Sequence, residues 1–147
     1  MEKEKLKIRI EQKIEQIEEY LEFLLSKVPN EIEKYKKDLT AKAVCERYAE
    51  KIIQSVIDLA FYVINIKKFI QPMEEERSFI ILQKNNIITE KLAKSLIEAK
   101  GMRNFIIHEY GKIDDEIIFE SISNQLEKDV REFITSVRKS ILEEIKQ

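Results

Sequence analysis

Glycine and proline are almost missing from this chain: two of each occur in 147 residues. Hairpins and tight turns draw on those residues and helix interiors exclude them, so the shortage argues for helices, and long ones. Cysteine is nearly missing too. A lone Cys45 excludes an internal disulfide and fits a reducing compartment. There is no excess of either charge, since 26 Lys and Arg stand against 28 Asp and Glu. That excludes binding of nucleic acid through an overall basic surface, but not through a local positive cleft. No apolar run approaches the ~18 residues of a membrane span, and the opening MEKEKLKIRIEQK is charged throughout, unlike a secretion signal. A cytoplasmic protein with no membrane contact is expected. One histidine and no cysteine pair give poor evidence for a metal, and neither a metal nor another cofactor is expected.

What is present is apolar and charged residues in quantity, 44% and 37% of the chain. They must be segregated onto faces, and they are. Ile10, Ile14, Ile17, Leu21, Leu24 and Val28 recur at steps of four and three, the signature of one helix face. Pro29 and Asn30 break that run, with Asn30 placed to cap a new start and Glu33 three residues on. A second stripe, Val44, Tyr48, Ile52, Val56, Leu59, Val63 and Ile66, is widened by Ile53, Ile57, Ala60 and Phe61. It predicts a central helix from about Asp38 to Phe69, ended at Gln71-Pro72. Residues 73–88 are less regular and hold a short helix around Phe79–Leu82, with a turn at Asn85-Asn86. Thr89 caps a further helix carrying Leu92, Leu96, Ala99, Met102 or Arg103, and Ile106, which Gly111 is placed to stop. Asp114 or Asp115 caps a last helix with the stripe Ile118, Ile122, Leu126, Val130, Phe133, Val137, Ile141 and Ile145. The expected fold is all-α: one domain, residues 1–147, an up-and-down bundle of four long helices plus a short one.

Near the end of the third long helix the pattern changes. His108, the only histidine, lies in the run Gly101-Met102-Arg103-Asn104-Phe105-Ile106-Ile107-His108-Glu109-Tyr110. Imidazole takes and returns a proton near neutral pH, and a guanidinium presents a fork of donors to phosphoryl oxygens. Alone, each has an ordinary explanation. The histidine suits a helix C-terminus, Arg103 has Glu98 or Glu109 to pair with, and Tyr110 suits a half-buried rim.

Arg103-Asn104-x3-His108-x-Tyr110 resembles the signature of HEPN domains of the HepT toxin type. The likeness runs from Glu46-Arg47 through Ile57-Asp58-Leu59 to Ile113-Asp114. The bare Arg-x4-His spacing is a weak signal, and the Asn, the Tyr and the helical setting make it specific. The chain departs from the family at Gln54, where Glu is frequent, so an acidic role there lapses. The resemblance implies a metal-independent endoribonuclease that acts as a homodimer, in a type VII-like toxin–antitoxin pair. Arg103 and His108 would be catalytic and Asn104 would position the substrate. A cognate MntA-like nucleotidyltransferase antitoxin would neutralise the toxin by transferring AMP to Tyr110.

Helix geometry adds a constraint. At ~100° per residue Arg103 and His108 stand about 140° apart around the axis, whereas Arg103 and Tyr110 are about 20° apart. Either the arginine wraps round, or the helix ends early, or a second chain completes the site; a two-fold composite is the expectation. On the central helix Arg47, Gln54, Asp58 and Asn65 form a polar line. This line is either a solvated face or the cleft wall, with Arg47 and Asp58 buttressing the motif. Lys67-Lys68 and Arg138-Lys139 are either solubilising pairs or phosphate contacts. Two other functions fit the same residues: an inactive HEPN accessory subunit of a nucleotidyltransferase, and a helical dimerisation protein with no RNA role.

Overall fold

A computed structural model describes residues 2–108 and 114–146, with side chains through 143. Among these residues every regular element is helical. α1 (Glu2–Lys27) buries Ile10, Ile14, Ile17, Leu21 and Leu24, five of its six stripe positions, and packs along α3. The new start expected after Pro29 is a separate six-residue helix, α2 (Ile32–Lys37), beyond the four long helices and one short one of the expected bundle. Its cap is Glu31 rather than Asn30, and no side chain closes it. What holds it is one anchor, the fully buried Tyr35, whose ring lies 5.4 Å from that of Phe119.

α3 (Leu39–Ile66) starts at Asp38, whose Oδ1 accepts from the Ala41 N–H at 3.0 Å. It buries residues on several sides and contacts α1, α2, α4 and α5, as its wide stripe predicts. It stops earlier than expected, and proline is not the cause. Lys68 adopts a left-handed conformation, φ 59°, while Phe69 N–H reaches Ile64 O and Lys68 N–H reaches Asn65 O. This is a Schellman closure. α4 (Glu75–Lys84) ends in the same way at Asn86, φ 61°. Thr89 Oγ1 accepts from Leu92 N–H at 3.1 Å and opens α5 (Glu90–His108). The stop expected at Gly111 falls outside the described residues.

Asp114 caps α6 (Asp115–Glu120) by accepting from the N–H groups of Glu116 and Ile117. A single π-helical turn, Ser121–Gln125, then leads into α7 (Leu126–Lys146), where a continuous helix was expected. The stripe explains the difference. Ile118, Ile122, Leu126 and Val130 follow at steps of four without a three, so a plain α-helix would swing each about 40° past the last. The wider π turn absorbs that drift, and all four are buried. The core so formed includes an edge-on contact between Phe79 of α4 and Phe133 of α7.

Candidate active site

Arg103 falls on the buried face of α5 with Leu92, Ala93, Leu96 and Ile106. Its side chain is only 6% exposed, so the guanidinium must find its acceptors inside the protein. It finds three. Nε and Nη2 donate to Asn104 Oδ1 at 3.2 and 2.7 Å, and Nη1 donates to Gln54 Oε1 at 2.6 Å. Glu75 closes the set as a fork, accepting at Oε1 from Nη2 at 2.7 Å and at Oε2 from Nη1 at 3.3 Å. These five bonds use all five guanidinium N–H groups.

Behind Gln54 the network continues. Its Nε2 donates to Asp58 Oδ1 at 3.0 Å, and Lys13 Nζ lies 3.7 Å from Asp58 Oδ2. Asp58 therefore bears on Arg103 through Gln54, one turn away on the same helix. Arg47 lies two turns before Gln54, is exposed, and pairs with Glu50 at 3.1 Å. The polar line thus divides between a part bonded to the motif and a part in solvent. Gln54 turns out to contribute a neutral acceptor, while the acid facing Arg103 comes from α4. Hydrogen bonds from Arg103 hold the Glu75 carboxyl below the usual carboxylate range, against a weaker upward push from burial. Beside it Lys100 Nζ donates to Glu76 at 3.0 Å, so two adjacent bridges tie the first turn of α4 to α5.

Arg103 is thus paired with Glu75 and not with Glu98, while Glu109 falls outside the described residues. Sequence reasoning missed it because Glu75 lies in the least periodic stretch, 28 residues from Arg103. A signal did exist. The stripe on α5 already offered Arg103 as a buried position, and a buried guanidinium requires a carboxylate from a neighbouring element.

His108 is the last residue of α5, is exposed, and accepts none of the five Arg103 bonds. The helix remains regular through it, which removes an early end as the means of bringing Arg103 and His108 together. On the exposed face Gly101, Phe105 and His108 follow at steps of four and three. Phe105 is 50% exposed, and open space lies in front of Gly101. Tyr110 falls outside the described residues. Lys67 is bonded to the Ser140 carbonyl oxygen at 3.0 Å, and Arg138 lies within 4 Å of Glu11 and Glu18. Cys45 is buried, which pushes its thiol up to about 11 and disqualifies it as a nucleophile at neutral pH. A groove of about 560 Å³ lies between α5 and the π turn, lined by Glu98, Met102, Ile117, Gln125 and Asp129 among others. It includes neither Arg103 nor His108, so its size is no guide to the chemistry.

The chain is similar to known proteins over most of its length. A family model described as ribonuclease HepT-like matches residues 10–137. A tRNA nuclease HepT of Aphanizomenon flos-aquae (strain 2012/KM1/D3) is 30% identical over 119 residues, 81% of either chain. An mRNA nuclease HepT of Shewanella oneidensis is 26% identical over 104 residues, 71% of this chain and 77% of that one. Among solved structures, the tri-AMPylated Shewanella oneidensis HEPN toxin in complex with MNT antitoxin superposes with a TM-score of 0.82 at 25% identity. It covers 88% of this chain, and 96% of that chain is matched.

Proposed function

This chain belongs to the HepT-like ribonuclease family, and from that premise we propose that it is the RNA-cleaving toxin of a toxin–antitoxin pair. The observation that carries the reading is the buried, fully bonded Arg103 beside Asn104, one turn and a half before an exposed His108 at the end of α5.

RNA supplies its own nucleophile. Neutral His108 takes the proton of a 2′-hydroxyl, the 2′-oxygen attacks the adjacent phosphorus, and the bond from phosphorus to the 5′-oxygen breaks. The leaving oxygen takes up a proton, and the products are a 2′,3′-cyclic phosphate and a 5′-hydroxyl. Arg103 stabilises the charge that develops on the phosphoryl oxygens, and Asn104 fixes the plane of the guanidinium. No step requires a metal.

A homodimer completes the site. Arg103 faces inward and His108 outward on one regular helix, so the two groups of one chain point apart, and a second chain supplies the imidazole that approaches the guanidinium. The antitoxin is a MntA-like nucleotidyltransferase that transfers AMP to Tyr110. The AMP adds a phosphate and a bulky base two residues past His108, where it competes with RNA for the same cation.

The test is cleavage of RNA by the purified protein and growth arrest on expression. His108→Ala is expected to abolish both while melting like the wild type, because its side chain is exposed. Arg103→Gln is expected to abolish both and to melt lower, because it leaves Glu75 and Gln54 without their donor. Growth arrest that survives both substitutions rejects the nuclease and leaves the accessory subunit or the dimerisation protein. Transfer of AMP to Tyr110→Phe as readily as to the wild type rejects the modification site.

A further inference from the structure

All five donors of Arg103 are occupied before any RNA arrives, and its side chain is 6% exposed. A guanidinium in that state has nothing to offer a phosphate. One acceptor has to leave, and the three are not equally able to. Gln54 sits in the middle of α3 and is held from behind by Asp58, which accepts from its Nε2 at 3.0 Å. Asn104 is the neighbour of Arg103 on α5 and accepts from two of its nitrogens. Glu75 is in the first turn of α4, and its side chain is 38% exposed, so it has water to move into. It also resembles the incoming group. A carboxylate and a phosphate both offer two oxygens to the same pair of guanidinium nitrogens, and both are anionic.

We propose that Glu75 occupies the place of the substrate phosphate, as a displaceable carboxylate that clamps Arg103 until RNA removes it. The proposal rests on the assignment of Arg103 to phosphate binding. Glu75 does not touch the reacting atoms. It acts by competing for the residue that does, and it raises the RNA concentration needed for cleavage. Glu76, bonded to Lys100 one residue on, keeps the first turn of α4 anchored when Glu75 swings into water.

Glu75→Gln keeps the size of the side chain and removes its charge. Steady-state cleavage is measured for wild type and variant on one RNA, with binding measured on a 2′-O-methyl RNA of the same sequence, which lacks the nucleophile. The variant is expected to show KM and Kd lowered about five-fold, so that kcat/KM rises through KM. A fall in kcat with KM and Kd unchanged makes Glu75 a positioning partner of Arg103 and overturns the clamp, as does weaker RNA binding. If Glu75→Gln fails to fold by circular dichroism, Glu75→Asp is read instead. It keeps the charge but draws it back from Arg103, and the same lowering of KM and Kd is expected. Inorganic phosphate separates this proposal from the nuclease assignment. If wild type does not cut RNA, yet Glu75→Gln binds phosphate about five-fold tighter and Arg103→Lys cancels the gain, the nuclease fails and the clamp stands. Equal phosphate binding by wild type and Glu75→Gln overturns the clamp whether or not RNA is cut.

Discussion

Among the described residues Arg103 and Asp129 are the two buried charged side chains, and they are handled differently. Arg103 has a carboxylate against it; Asp129 has only the Gln125 amide, at 2.9 Å. Burial therefore pushes the Asp129 carboxyl upward, with Glu132 and Glu98 adding to the shift and the Gln125 bond and Lys128 opposing it. A carboxyl raised in the folded state binds protons more tightly there than in the unfolded chain. Its contribution to stability consequently falls as pH rises through the folded value, and at neutral pH the charge is a full liability. Asp129→Asn keeps an acceptor for Gln125 and removes the charge. It is expected to raise the melting temperature at pH 7 by a few degrees, a gain that closes below about pH 4, where the aspartic acid is protonated in both states. Thermal melts of the two proteins across that range check it; an equal difference at every pH would mean that the carboxylate is not the cause.

At the scale of the element, apolar periodicity was enough to find the helices, because each long helix has one job, to bury a stripe. Most positions of the long stripes land in the core, and the side chain of Ile145 falls outside the described residues. The ends were harder to read, since they depend on a single residue's backbone. Nothing in a lysine announces the left-handed turn at Lys68, and Pro72 a few residues later supplied a plausible but wrong stop. Steps of four at Ile118, Ile122, Leu126 and Val130 did signal the π turn, but only to a reading that compares successive steps rather than counting matches to a stripe. The site was legible in part for the same reason. Arg103, Asn104 and His108 lie within one helix and keep a fixed spacing, whereas Gln54 and Glu75 reach Arg103 only through the packing of α3 and α4 on α5. The helix ends give a measurable consequence. An L-residue held left-handed costs roughly 1–2 kcal/mol, and glycine avoids most of it. Lys68→Gly is expected to stabilise the protein by up to about 1 kcal/mol, and Asn86→Gly by less, because asparagine tolerates that conformation. Urea unfolding of both variants gives the comparison, and a loss of stability in Lys68→Gly would contradict the turn.

At the scale of the whole molecule, the opposed directions of Arg103 and His108 decide how many chains make one site. If a single chain sufficed, its inactive variants would stay inactive in any mixture. If the site takes the guanidinium of one chain and the imidazole of the other, two dead proteins can restore each other. Mixing Arg103→Gln with His108→Ala yields dimers in which one site has lost both groups and the other has kept both. With random pairing about half of the dimers are mixed and each regains one of its two sites, so about a quarter of wild-type cleavage returns. Chains must exchange for this to happen, so the mixture is denatured and refolded together, and each variant is refolded alone as its control. Activity in the mixture but in neither control establishes a shared site, whereas a mixture as inactive as its parts places both groups in one chain and requires α5 to unwind between Arg103 and His108. Dilution gives the independent check. A shared site loses specific activity as the dimer dissociates, in proportion to the fraction of dimer, while a site within one chain keeps it at any concentration.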